Sequence, residues 1–135
     1  MSPTTQYALT NKGLSLDDQG NRTGAILYYD KALAIDPKFE FALYDKGDDL
    51  YNLGNYTQAI QYLYQAWAID PNDKYSLNDI GRALIRLENY TGGIMYLDKA
   101  LAIDPKYEDA LGNKGWALNS LGNYKEAMTY LDKVL

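Results

Sequence analysis

The sequence predicts an all-α chain made of four copies of one helix-turn-helix unit. Three observations carry this. One phrase is written three times at a fixed interval, as YYDKALAIDPKF from Tyr28, YLYQAWAIDPND from Tyr62 and YLDKALAIDPKY from Tyr96. The four prolines, Pro3, Pro37, Pro71 and Pro105, stand 34 residues apart. Small residues keep the same beat, at Gly13, Gly47, Gly81 and Gly115, and again at Ala25, Ala59, Gly93 and Ala127.

Each unit reads the same way from start to finish. In the second, Leu43, Leu50 and Leu53 share one face of a first helix. Gly54 stops that helix as a left-handed residue. Asn55 caps the next helix, and Gln58 three residues on completes a capping box. Asn123 and Glu126 repeat that arrangement, whereas Asn21 and Asn89 meet Gly24 and Gly92 and predict half-made boxes. The second helix places Ala59, Ile60, Leu63, Ala66 and Trp67 on one face. Asp-Pro ends it, because the residue before proline is pushed out of the α region. A glycine inside a helix costs about 1 kcal/mol against alanine. Four glycines at one helical position therefore predict a close crossing of the two helices.

With these residues in place, the chain resembles the tetratricopeptide repeat family. The resemblance divides it into repeats at about 6–39, 40–73, 74–107 and 108–135. The family's small residues fall on the ladders above, and its tyrosine falls on Tyr56, Tyr90 and Tyr124, with Arg22 in the first repeat. Its tryptophan is leucine throughout, at Leu9, Leu43, Leu77 and Leu111. The family implies a solenoid, a right-handed superhelix whose first helices line a concave groove. It also implies a protein-protein interaction scaffold that binds a peptide or protein segment there.

Composition narrows the function further. The chain has 135 residues, 47% hydrophobic and 23% charged, enough to bury a core. It has no cysteine and no histidine, which removes disulfides, thiolate metal sites and the commonest general base. No nucleophile-and-base constellation is present, so the expectation is not an enzyme, with no cofactor and no metal. The net charge of −5 repels phosphate backbones, so nucleic acid is not an expected partner. No apolar run is long enough to span a membrane, and no signal peptide is legible. The default compartment is cytoplasmic.

Carried onto this sequence, the groove positions put Tyr7, Asn11, Tyr44, Asp45, Asp48, Tyr51, Tyr75, Asn78, Asp79, Arg82, Asn113 and Trp116 in the peptide-binding set. Thr10, Leu14 and Phe41 lie on the same face. Aromatic anchors beside amides suit an extended peptide. Asp48 and Asp79 favour a basic residue on the ligand, and Arg82 an acidic one. The family's lysine and arginine clamp for a terminal carboxylate is not matched, since Thr10, Leu14, Asp45, Tyr75 and Asp79 stand at its places.

Weaker signals take structural readings. Asp45, Asp48 and Asp49 lack a glycine-bearing loop and read as a solvated face rather than a metal site. Tyr28, Tyr62, Tyr96 and Tyr130 form a stripe expected to pack between repeats. The N-x-T triplets at Asn21, Asn55 and Asn89 recur because the turn recurs. The fourth repeat stops at Leu135 with no Asp-Pro turn and no capping helix, so Ala127, Leu131, Val134 and Leu135 are expected to form an uncovered apolar stripe. That stripe predicts an alternative role, self-association through the repeat ends, with a homodimer through the C-terminal end.

Overall fold

The computed structural model describes residues 4–135, so Pro3 lies outside the described residues. Eight α-helices follow one another: α1 (Thr5–Asp18), α2 (Arg22–Ile35), α3 (Glu40–Asn52), α4 (Tyr56–Ile69), α5 (Lys74–Arg86), α6 (Tyr90–Ile103), α7 (Glu108–Ser120) and α8 (Tyr124–Asp132). They form antiparallel hairpins, two in a first compact unit that ends at Asp70 and two in a second, Pro71–Leu135. The helix starts at Arg22, Tyr56, Tyr90 and Tyr124 keep the interval of the sequence ladders.

The turn inside each hairpin is the same. Gly20, Gly54 and Gly122 have φ of 79°, 85° and 82°. The following asparagine amide donates back to the first helix, from Asn21 to Leu16 and from Asn55 to Leu50, both at 2.8 Å. This pairing satisfies carbonyls that the helix end would otherwise orphan. The turns between repeats also recur. Asp36, Asp70 and Asp104 are extended, and the Asp36 and Asp104 carboxylates each accept from a backbone amide two residues on, at 3.1 Å.

The caps reverse the sequence expectation. Asn21 and Asn89 accept from Gly24 and Gly92 at 2.9 and 3.0 Å, whereas Asn55 and Asn123 make no side-chain cap. The bare glycine is the reason. A Cβ at Gly24 or Gly92 would sit 2.5 or 2.7 Å from the asparagine amide nitrogen. Where Gln58 or Glu126 stands instead, that space is taken.

The glycine ladder does what the sequence predicts. A Cβ on Gly47 would meet Leu63 at 2.7 Å, one on Gly81 Leu97 at 2.8 Å, and one on Gly115 Leu131 at 2.6 Å. In the first repeat the facing residue is Tyr29, whose ring atoms would lie 2.4–3.0 Å from a Cβ on Gly13. Around it the first unit buries Ala25, Ala32, Phe39 and Ala42, with Leu9, Leu16, Ile26 and Leu33 packed alongside. The second unit buries Leu77, Ile80, Ala83, Leu97, Ala100, Ala110, Leu111 and Ala117.

Candidate functional site

In the first unit, α1 and α3 present a cavity of about 420 Å³ lined by Tyr7, Thr10, Asn11, Leu14, Phe39, Phe41 and Asp45. Six of the seven are groove positions read from sequence. The seventh, Phe39, was missed because it precedes α3 and belongs to the turn. It is nearly buried, and it stacks edge-on against Tyr7 at 4.7 Å and Phe41 at 5.6 Å. Tyr7 is half exposed and Phe41 slightly more, so their faces remain available. Three rings in mutual contact give a stiff apolar wall whose geometry costs little to hold.

The polar side of the cavity is acidic. Burial, then the charges of Asp17 and Asp48, push the Asp45 carboxyl up to about 7. Asp49 is raised as well, first by burial and then by its hydrogen bond with Asp17. Asp17 also accepts from the Tyr29 hydroxyl beneath it. The expected solvated face is thus corrected at Asp49, which is buried. No group of three or more acidic side chains among the described residues has the geometry to hold a metal ion.

Other predicted groove residues fall out differently. Tyr44, Asp48 and Tyr51 on α3 are half-buried, and Tyr51 meets Tyr56 at 5.2 Å. In the second unit Tyr75 and Trp116 are exposed and rest edge-on or tilted against Tyr107 and Tyr90, at 5.8 and 6.1 Å. Asn78 and Asp79 are 3% and 4% exposed. They form an internal ladder: Asn113 donates to Asn78 at 3.0 Å, Asn78 to Asp79 at 3.2 Å, and the Arg82 guanidinium lies 3.0 Å from Asp79. Asp79 therefore answers Arg82 rather than standing open to a basic ligand.

At the C-terminal end, Ala127 is fully buried within its own hairpin and Leu131 is half-buried against Gly115. Val134 and Leu135 are exposed and lie beyond α8. In the tyrosine stripe, Tyr62 and Tyr130 each accept a hydrogen bond from a lysine of their own hairpin, and that lysine also reaches the preceding repeat.

Antiparallel helix pairs, crossed over glycine and repeated at one interval, define the class of α-helical repeat proteins. Two family models match the chain: "Anaphase-promoting complex, cyclosome, subunit 3" over residues 18–100 and "Tetratricopeptide repeat" over residues 84–135. The chain belongs to the tetratricopeptide repeat family. It is similar in fold to MamA 41-end from Desulfovibrio magneticus RS-1, with a TM-score of 0.90 and 26% identity, covering 98% of this chain and 75% of that one. A MamA RS-1 double mutant matches with the same values. A Thermobaculum terrenum O-GlcNAc transferase matches at 26% identity and a TM-score of 0.80, over 87% of this chain but 23% of the transferase. No curated protein matches the sequence. The family is generally one of non-catalytic protein-interaction modules. Among the described residues, no helix is long and apolar enough to cross a membrane.

Proposed function

We propose that this chain is a non-enzymatic scaffold that seats a peptide or protein segment on the first helices of its repeats, with the α1–α3 cavity as an anchor subsite for a basic residue. The observation that carries the reading is the composition of that cavity. An aromatic wall of Tyr7, Phe39 and Phe41 faces a carboxyl, Asp45, backed by further acids. Its volume of about 420 Å³ takes a long side chain with an aliphatic stem and a cationic head. Asn11 supplies both a donor and an acceptor for the ligand backbone. Tyr44, Asp48, Tyr51, Tyr75, Asn113 and Trp116 extend the reading to further contacts. A cytoplasmic setting is carried with it.

Peptides selected from a random displayed library against the intact chain test this. Selected sequences are expected to share a lysine or arginine. Phe41→Ala is expected to weaken them about ten-fold or more, as loss of a buried aromatic anchor does. Binding should fall as salt rises. Peptides without a basic residue, or unaffected by Phe41→Ala, would move the site elsewhere.

A further inference from the structure

The two units build the same aromatic corner, and they treat it differently. In the first, Tyr7 on α1 meets Phe39 edge-on at 4.7 Å and 80°. Two repeats on, Tyr75 on α5 meets Tyr107 edge-on at 5.8 Å and 77°. The first helices of each unit also carry one acid and one amide at a single repeat position. These are Asp45 and Asn11 in the first unit and Asp79 and Asn113 in the second.

The second unit supplies its own cations to this corner. Arg82, one turn beyond Asp79 on α5, lies 3.0 Å from its carboxylate. The charges of both act on the Tyr107 hydroxyl, so the pair stands next to the rings. Lys74 lies over the same two rings, 5.3 and 5.0 Å from their centroids, but is tied to Asp104 at 2.6 Å rather than to Asp79. The acid at the groove position is thus answered by a guanidinium.

In the first unit both cation positions are neutral, with Gln6 in place of Lys74 and Leu14 in place of Arg82. Leu14 lines the cavity of about 420 Å³ with Asn11, Asp45 and the three rings. Phe41 stands where the second unit has Asp109, so the wall here is also more apolar. The acids are left uncompensated. Asp45 is pushed up by burial and by Asp17 and Asp48. One oxygen of Asp17 and one of Asp49 are buried with no hydrogen-bond partner among the described residues. Arg22 on α2 acts on Asp49, but more weakly than burial, Asp17 and Asp48 act in the opposite direction.

We propose that an arginine side chain of a bound peptide enters the α1–α3 cavity and answers Asp45 there, as Arg82 answers Asp79 in the second unit. This occupant presupposes the peptide-binding reading above and narrows its basic residue to arginine. A guanidinium is planar and lies flat on the rings of Tyr7 and Phe41. It is more weakly hydrated than an ammonium, so it loses less on leaving water for an apolar wall, and it keeps its charge there, whereas a lysine gives up its proton more readily. Its forked donors can hold both oxygens of one carboxylate.

Isothermal titration of the intact chain tests this with one library-selected peptide, remade with arginine, lysine or citrulline at its basic position. The arginine peptide is expected to bind about ten-fold or more tighter than the lysine peptide, and the citrulline peptide, which keeps the shape without the charge, weaker again. Leu14→Arg supplies the guanidinium from within. It is expected to weaken the arginine peptide about ten-fold or more. It is also expected to bring the Asp45 carboxyl, followed by side-chain NMR titration without peptide, down from about 7 toward the ordinary carboxylate range. Leu14 is 40% exposed, so the variant keeps the wild-type circular dichroism. Equal binding of the arginine and lysine peptides, both lost in Phe41→Ala, would overturn the proposal and leave the basic-anchor reading standing. No binding by any of the three peptides would overturn that reading and the proposal with it. An Asp45 titration unmoved by Leu14→Arg would overturn the equivalence with Arg82, and the proposal again.

Discussion

At residue 88 a glutamate stands where the other three hairpin turns hold glycine. Its φ is 64°, in the left-handed region that a side chain enters at a cost of about 1–2 kcal/mol. Glu88→Gly is therefore expected to stabilise the second unit by about 1 kcal/mol, less the extra freedom glycine regains on unfolding. Thermal unfolding of the pair of variants measures it. The opposite sign is expected at Gly47. Alanine there gains helix propensity but drives a Cβ to within 2.7 Å of Leu63, so Gly47→Ala should destabilise by about 1–3 kcal/mol. Single residues also set a pH dependence. The Asp45 carboxyl, ordinarily near 3.8, is raised to about 7 by burial and by Asp17 and Asp48. The folded state thus holds a proton that the unfolded state has lost. The associated stability is present below about pH 4 and is lost as pH rises through about 7. Asp17, Asp48, Asp49, Arg22 and Tyr29 share that environment, and Asp49 shifts in the same direction. The first unit is expected to melt at a lower temperature at pH 8 than at pH 5, and Asp45→Asn to flatten the difference. An unchanged slope in Asp45→Asn would place the proton elsewhere in the cluster.

Between helices, the buried lysines decide what a substitution costs. Lys114 is nearly buried, while its partner Asp98 is half exposed. Removing Asp98 leaves the ammonium, among the described residues, with the neutral Tyr130 hydroxyl as its hydrogen-bond partner. Removing the charge itself with a similar apolar volume leaves nothing uncompensated. Asp98→Ala should therefore cost more than Lys114→Met, at about 1–3 kcal/mol against less than about 1 kcal/mol. Chemical denaturation of the two variants checks the ordering. Repeat spacing, turn chemistry and the glycine crossing were legible because each is local and recurs along the chain. The cap at Asn21 was misread because a side-chain rule, asparagine followed by glutamate or glutamine, was applied where empty space at Gly24 governs. The link from Lys46 to Asp30 was not legible. It joins two repeats through residue types that are ordinary on a solvated helix face, and only the packing brings them together.

Across the whole chain, the repeat period led directly to the fold and to the α1–α3 cavity, six of whose seven lining residues lie on groove positions. The period could not say which groove residues remain free. Asn78, Asp79 and Arg82 hold the positions of ligand-facing groups, yet they answer one another inside the second unit. Face assignment follows from helical spacing, whereas commitment to a neighbour depends on side-chain distances that spacing does not carry. The first-helix face in the first unit is proposed to receive a basic peptide segment. Amide chemical-shift mapping tests it most directly, by titrating a selected lysine-containing peptide into the isotopically labelled chain. Shifts are expected at Tyr7, Asn11, Phe41 and Asp45, strengthening from pH 6 to pH 8 as Asp45 gains its charge. Shifts confined to the second helices, around Leu27 or Tyr64, would contradict it.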